Sequence, residues 1–177
     1  GDTDYARLGT YIQMNPPVRG HKARDAVFAA VRAGLFDVLG SDHAPHEREA
    51  KEKEYPDTPS GMPGVQTLVP VMLTHVAEGR MSLQRFVDLT SHGPQRIFRM
   101  AGKGRIGLGW DADLTLVDLD AHREITDEWI ASKCGWTPYA GMMAKGWPVG
   151  TIIRGRRVMA DGEIVTPTGG EPVRFLP

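Results

Sequence analysis

Cysteine is almost absent from this chain, whose 177 residues include only Cys134. A single cysteine excludes an intrachain disulfide framework and a zinc site built from cysteines. It fits a reducing compartment, so we expect a cytoplasmic protein. Long apolar runs are also lacking: polar residues interrupt residues 65–76, and this run is far shorter than the roughly 20 residues of a membrane-spanning helix. We therefore expect no membrane segment.

An excess of either charge is likewise missing. The chain carries 21 basic and 22 acidic residues, a formal net charge of −1. This balance argues against nucleic acid as a partner and against a membrane-surface role. Hydrophobic residues make up 41% and charged residues 24%, which is typical of a globular protein. The length excludes a complete eight-fold α/β barrel, which takes about 250 residues.

The first part of the chain has the pattern of an α/β protein. Apolar spacing predicts a helix over residues 21–33 that ends at Gly34, and the short apolar run 35–40 predicts a buried strand. Further helices are predicted over residues 65–77, after the N-cap Ser82, and at Pro94. Helix, glycine turn and buried strand in this order favour a parallel sheet.

The pattern changes near residue 102, where glycines recur and β-type segments begin. These segments are residues 114–118, 150–154, 157–160 and 163–165. Asp161 and Gly162 lie between the last two and predict a tight hairpin turn. We predict an α/β part over residues 1–102 and an appended β-rich part over residues 103–177.

Polar residues follow the predicted strand at residues 41–46. The carboxyl end of a parallel strand is where α/β folds place their sites. Asp42 is suited there to bind a metal ion, to act as a general base or to cap a turn, and the residues alone leave these roles open. His43 and His46 need not share a face, because Pro45 lies between them. One aspartate and two histidines do not complete a zinc shell, since even catalytic sites use about three protein ligands.

Two other segments offer ligand contacts. Asn15 precedes two prolines and either presents its amide to a ligand or simply serves as a turn residue. Ser60 and Gly61 lie in the Pro- and Gly-rich stretch 55–64, which should be irregular. Glycine permits close approach of the backbone to a substrate, and a flexible loop is the alternative interpretation.

Taken in order, these pieces resemble the C-terminal part of the dihydroorotase family, within the amidohydrolase superfamily. The resemblance rests on residues 14–19, 37–46, 59–61 and 109–114, with Lys51 at a family-like spacing. It implies the C-terminal part of a TIM-type (β/α)8 metal-dependent hydrolase barrel over residues 1–102. A small appended β-sandwich would follow over residues 103–177.

The resemblance also implies an activity and a set of site residues. The family interconverts dihydroorotate and N-carbamoyl-aspartate in de novo pyrimidine biosynthesis, using one or two zinc ions. Asp42 would be both a metal ligand and the catalytic residue that takes a proton from the attacking water. Asn15, His46 and the backbone of Ser60 and Gly61 would contact the small-molecule substrate, and His43 would be structural.

The resemblance further implies that zinc ligands lie before Gly1. The chain by itself is therefore expected to be inactive, to need the N-terminal half of the barrel, and to belong to a homo-oligomer. Ser60 replaces a bulkier aromatic residue common in relatives, which changes the expected pocket wall. Two alternatives stay open: a non-catalytic dihydroorotase-like partner of another pyrimidine-pathway enzyme, and a cyclic amidohydrolase of the hydantoinase or allantoinase type.

Overall fold

The computed structural model describes residues 1–165 and 169–177. Residues 166–168 of the predicted β-rich part lie outside the described residues. The chain forms two compact units that alternate along the sequence. Unit 1 comprises Gly1–Leu35, Gly40–Leu68 and Glu124–Met143, and unit 2 comprises Phe36–Leu39, Val69–Arg123 and Ala144–Pro177. The composition-based boundary between residues 102 and 103 stays a prediction.

Six α-helices form within the described residues. They are α1 (Tyr5–Leu8), α2 (His21–Arg32), α3 (Arg48–Lys51), α4 (Leu68–Ala77), α5 (Leu83–Val87) and α6 (Gly93–Phe98). Short 3-10 turns flank α1 at Asp2–Asp4 and Gly9–Ile12, and a π-helical turn at Asp88–His92 joins α5 to α6. Within the described ranges, no helix has the length and apolar character needed to cross a membrane.

Helix α2 confirms the helix predicted over residues 21–33 and the glycine that ends it. The Leu35 N–H donates to the Ala30 carbonyl at 3.1 Å, and the Gly34 N–H donates to the Val31 carbonyl at 3.3 Å. This pair of hydrogen bonds is the Schellman motif, which needs a left-handed residue after the helix. Gly34 supplies it with a φ of +84°.

Helices α4 and α5 each begin close to a side chain that accepts backbone N–H groups. Helix α4 begins at Leu68 rather than at residue 65, and the N–H groups of Gly64 and Val65 before it donate to Nδ1 of His43 at 3.0 and 3.3 Å. Helix α5 begins where predicted, because Ser82 Oγ accepts the Arg85 N–H at 3.1 Å. The Ser82–Arg85 bond joins residues three positions apart and could be predicted from the sequence. The bonds to His43 join residues more than 20 positions apart and could not.

The strand predicted over residues 35–40 was wrong. The side chains of Leu35 and Phe36 are 73% and 43% exposed. The Leu39 N–H donates to the Leu89 carbonyl at 3.0 Å, outside any strand pair. A parallel strand needs neighbours that pair with its N–H and C=O groups. No residue in the described ranges pairs with this run as a strand, so its apolar character does not make it one.

The β-rich segments form one four-stranded sheet. Its strand order is β1 (Leu114–Glu124), β2 (Met143–Ile153), β3 (Arg156–Ala160) and β4 (Glu163–Ile164). β2 pairs antiparallel with β3, and β3 with β4. Asp161 and Gly162 have φ values of +49° and +91° and form the predicted hairpin turn. The predicted strands are confirmed, with β1 and β2 longer than expected; the second sheet that a sandwich requires stays a prediction.

Strand β2 packs closely on α4 within unit 2. A Cβ placed on Gly146, whose φ is +91°, would lie 2.7 Å from Cβ of Leu73. Only glycine therefore allows the strand to come this near the buried Leu73 side chain. The Lys145 N–H donates to Oγ1 of Thr74 at 3.0 Å beside this contact.

Candidate functional site

The segment that carries Asp42 is tied to the Pro- and Gly-rich loop of unit 1 through His43. His43 and Met62 form an isolated parallel bridge, and the Ala44 N–H donates to the Met62 carbonyl at 2.9 Å. His43 Nδ1 accepts the N–H groups of Gly64 and Val65, so its ring hydrogen lies on Nε2. These contacts agree with the structural role expected for His43.

Asp42 lies on the surface of unit 1 in an uncommon backbone conformation. Its φ is +46°, in the left-handed region that aspartate tolerates better than most residues. Among residues 1–165 and 169–177, its carboxylate has no hydrogen-bond or ion-pair partner. No backbone N–H in these ranges donates to it, so the turn-capping interpretation has no hydrogen bond to support it.

His46 is held at both its side chain and its backbone. Its Nε2 lies 3.1 Å from the Ser60 carbonyl, and because a carbonyl only accepts, Nε2 carries the hydrogen. The His46 carbonyl accepts Nε1–H of Trp136 at 2.8 Å. Trp136 is itself buried and packs edge-to-face on Tyr11, with ring centroids 4.9 Å apart. Sequence reasoning missed this role of Trp136, since the two residues lie far apart along the chain.

Gly61 sits where only glycine fits. It is buried, its φ is +136°, and an added Cβ would lie 2.5 Å from the Ala44 carbonyl oxygen and 3.1 Å from Nε2 of His46. Its N–H donates to the Gln13 carbonyl at 2.9 Å. The close approach anticipated for this glycine is therefore made to protein backbone. Its N–H is already engaged, as is the Ser60 carbonyl.

Sequence reasoning noted Lys51 for its family-like spacing but missed its burial. The mixed-charge run 47–54 predicts a solvated loop or short helix, and helix α3 is present, but the Lys51 side chain is fully buried. Its Nζ donates to the Pro59 carbonyl at 2.8 Å and to the Gln13 carbonyl at 3.4 Å. Nothing in the local sequence separates it from the exposed Lys53 two positions later; only the tertiary structure does.

Burial gives Lys51 an expected pH signature. Loss of hydration lowers the pKa of Lys51 below its ordinary value of 10.5. The folded state then binds this proton less tightly than the unfolded state, so stability rises as pH climbs from the lowered pKa through 10.5. The free energy of unfolding of the wild type, minus that of Lys51→Met, should increase between about pH 8 and about pH 11. Chemical denaturation at both pH values measures this, and a difference that falls with pH would contradict it.

Asn15 and Ser60 line the same cleft of unit 1. The cleft has a volume of about 590 Å³ and is lined by Tyr5, Gly9, Thr10, Gln13, Met14, Asn15, Pro17, Tyr55 and Ser60. Asn15 is exposed in a bend, as its position before proline predicts. The structure thus brings two predicted substrate contacts together, and His46 and Gly61 join them through Ser60 and Gln13. Asp42 is not among the residues that line this cleft.

Comparisons with known proteins place this fold. Residues 15–158 match the amidohydrolase family. The dihydroorotase of Halobacterium salinarum is 42% identical over 97% of the chain, and that of Methanothermobacter thermautotrophicus is 39% identical over 98%. Among solved structures, an L-hydantoinase (dihydropyrimidinase) from Arthrobacter aurescens is 34% identical with a TM-score of 0.88, and a D-hydantoinase is 29% identical with a TM-score of 0.87. Each covers 93% of the chain.

These matches confirm the resemblance to dihydroorotases seen in residues 14–19 and 37–46. The chain matches only part of each relative. It spans 40% and 38% of the length of the two curated relatives, and 38% of each hydantoinase chain. The family match covers most of the chain, and the curated relatives exceed 30% identity over nearly all of it. The chain therefore belongs to the amidohydrolase family.

Proposed function

We propose that the intact protein carrying this chain is a cyclic amidohydrolase of the dihydroorotase type. It would interconvert dihydroorotate and N-carbamoyl-aspartate, and so serve pyrimidine biosynthesis. The observation that carries the proposal is the grouping of Asn15 and Ser60 in one cleft, with His46 hydrogen-bonded to Ser60. The dihydroorotase names of the relatives at 42% and 39% identity support the same substrate.

In this proposal Asp42 moves the proton. Hydrolysis of a cyclic amide needs a base that takes a proton from the attacking water and an acid that delivers one to the leaving ring nitrogen. A carboxylate does both in turn, because it is protonated in the first step and gives that proton up in the second. The absence of a hydrogen-bond partner for Asp42 within the described ranges leaves both its oxygens available for this work.

The substrate contacts follow from which groups the protein already uses. The Gly61 N–H donates to Gln13 and the Ser60 carbonyl accepts from His46. We therefore assign the Ser60 N–H and the Gly61 carbonyl to the edge of the ring amide. The Asn15 side-chain N–H groups are assigned to the substrate carboxylate, which hydrogen-bond donors recognise. Because Nε2 of His46 carries the ring hydrogen, its Nδ1 is an acceptor and is assigned to an N–H of the substrate ring.

A metal ion is part of the family chemistry, and the described residues do not by themselves fit one. Within them, no group of three or more His, Cys, Asp or Glu side chains is placed to hold a metal ion. Asp42 offers one carboxylate, whereas zinc sites use three or four protein ligands. We propose that one or two zinc ions bind with Asp42 as one ligand and the others supplied from outside this chain. Bound zinc would polarise the amide carbonyl and lower the pKa of water.

Exposed apolar side chains on and just after α2 support the proposal that this chain is part of a larger barrel. No residue of α2 is buried in the structure. Val27 on this helix is 56% exposed and Leu35 just after it is 73% exposed. Apolar side chains of a barrel helix ordinarily pack on neighbouring elements. We propose that the N-terminal half of the barrel covers them; the homo-oligomer, the appended sandwich and the cytoplasmic location stay predictions.

A hydantoinase is the second candidate. Its support is the likeness to two solved hydantoinases, with TM-scores of 0.88 and 0.87. The two candidates share the fold and the reaction type and differ in the ring they accept. A carboxylate on the ring separates them, since dihydroorotate carries one and unsubstituted hydantoin does not. Because Asn15 is assigned to that carboxylate, replacing Asn15 should affect turnover of dihydroorotate more than turnover of hydantoin.

Replacing Asn15 with alanine in the intact protein should raise KM for dihydroorotate about tenfold or more, because a hydrogen bond to a charged group contributes about 1.5–3 kcal/mol. The measurement is steady-state turnover of dihydroorotate, hydantoin and allantoin by the wild type, Asn15→Ala and the α2 surface control Lys22→Ala. We expect dihydroorotate to be the preferred substrate and the control to match the wild type. Faster turnover of hydantoin would favour the second candidate, and no turnover of any ring would refute both.

A further inference from the structure

Lys51 connects two segments that line the cleft described above. Gln13 and Asn15 line it from one segment, and Ser60 from another. The Lys51 ammonium donates to the carbonyl of Gln13 and to that of Pro59, the residue next to Ser60. One buried cation therefore holds the backbone of both segments.

The same two segments are fastened by hydrogen bonds around Lys51. The Gln13 carbonyl also accepts the Gly61 N–H, so it is the common acceptor for Lys51 and the loop. The Gln13 side chain donates to the Thr58 carbonyl at 3.0 Å. The Lys51 carbonyl in turn accepts Oγ1–H of Thr10 at 2.5 Å and of Thr58 at 3.3 Å. Lys51 thus contacts each segment through both its side chain and its backbone.

Among the ion pairs of residues 1–165 and 169–177, none joins Lys51 to a carboxylate. The hydrogen-bond acceptors of Nζ are thus two backbone carbonyl oxygens, one from each segment. The bond to Pro59, at 2.8 Å, has the length of a charge-assisted hydrogen bond, and the bond to Gln13, at 3.4 Å, is longer. An uncharged side chain of the same length would fill the volume but would not draw the two carbonyls together.

We propose that Lys51 is a positioning residue for the substrate. By holding the carbonyls of Gln13 and Pro59, it sets the separation between Asn15 and the Ser60–Gly61 backbone, and hence the fit of the ring between them. Lys51 does not touch the substrate. The proposal rests on the proposed function, because it assigns the cleft to a cyclic amide.

The test replaces Lys51 with methionine, which keeps the length and removes the ammonium, and uses Lys53→Met as the matched control. Lys53 is exposed and lies in the same charged run. Two quantities are measured on the intact protein: kcat and KM for dihydroorotate, and the hydrogen-exchange rate of the Gly61 amide. The amide rate reports the loop directly, because its N–H is bonded to Gln13.

We expect Lys51→Met to raise KM about fivefold or more while kcat falls less than about twofold, since Asp42 is untouched. The Gly61 amide should exchange about tenfold faster, and Lys53→Met should change neither quantity. An unchanged Gly61 rate, or faster exchange with an unchanged KM, would overturn the proposal. If the wild type does not turn over dihydroorotate, the proposed function fails, and the exchange rate still decides whether Lys51 holds the loop.

Discussion

Replacing Asp42 with asparagine in the intact protein is expected to lower kcat for dihydroorotate about 1,000-fold. General acid–base catalysis by a positioned side chain contributes about 100- to 10,000-fold, and the amide of asparagine neither accepts nor delivers the proton. Asparagine has nearly the same shape, and it also tolerates the left-handed conformation that Asp42 adopts with a φ of +46°. The fold should therefore be kept, and the loss should appear in turnover.

Turnover and unfolding together make this a clean test. The control is Asp57→Asn, an exposed aspartate in the same compact unit that is not assigned to the site. We expect the control to keep wild-type kcat and both variants to unfold at the wild-type denaturant midpoint. Wild-type turnover by Asp42→Asn would remove Asp42 from the mechanism. Lost activity with a shifted midpoint would mean instead that Asp42 supports the loop.

The second large effect is expected at Gly61. In Gly61→Ala the new methyl group would meet the Ala44 carbonyl oxygen at 2.5 Å and the Ala44 Cβ at 2.8 Å. Both are close to the main chain and cannot swing away as a long side chain would. A φ of +136° adds strain for any residue with a Cβ. Together these effects should lower the free energy of unfolding by about 3 kcal/mol.

The Gly61→Ala substitution should also lower activity toward the substrate. Moving the loop weakens the Gly61–Gln13 hydrogen bond and displaces the Ser60 carbonyl from His46, so kcat/KM for dihydroorotate should fall with stability. Gly40→Ala is the matched control, since nothing lies within 4 Å of its added Cβ and its φ is not positive. Denaturation and steady-state turnover of both variants give the comparison. Equal stability of the two alanine variants would show that the loop yields easily.

Features set by neighbours in the chain could be predicted. The Schellman motif at Gly34, the N-cap at Ser82 and the Asp161–Gly162 hairpin each depend on residues within a few positions of one another. The family resemblance also selected Asn15, His46, Ser60 and Gly61 as substrate contacts, and their contact with substrate stays a prediction. The sequence did not show the hydrogen-bond partners of the Gly61 N–H and the Ser60 carbonyl.

Features that depend on distant partners could not be predicted. The run 35–40 has a strand's composition, but a strand also needs neighbours to pair with, and within the described ranges none pairs with it. The run 47–54 has a solvated loop's composition, but Lys51 within it is buried. The Pro59 carbonyl lies eight positions from Lys51 and the Gln13 carbonyl 38 positions away. Composition does not show whether Lys51 or Lys53 donates to these two carbonyls.

The sequence by itself determined the family resemblance, the local turns and caps, and the residues that can carry chemistry, because these depend on residue type and short spacing. Only the tertiary structure decided which of those residues share a cleft, which backbone groups are already bonded, and that a buried lysine is hydrogen-bonded to the backbone of both loops. The physical reason is that burial and hydrogen-bond pairing are set by segments brought together in folding, and the position of a residue in the chain does not state its distant neighbours.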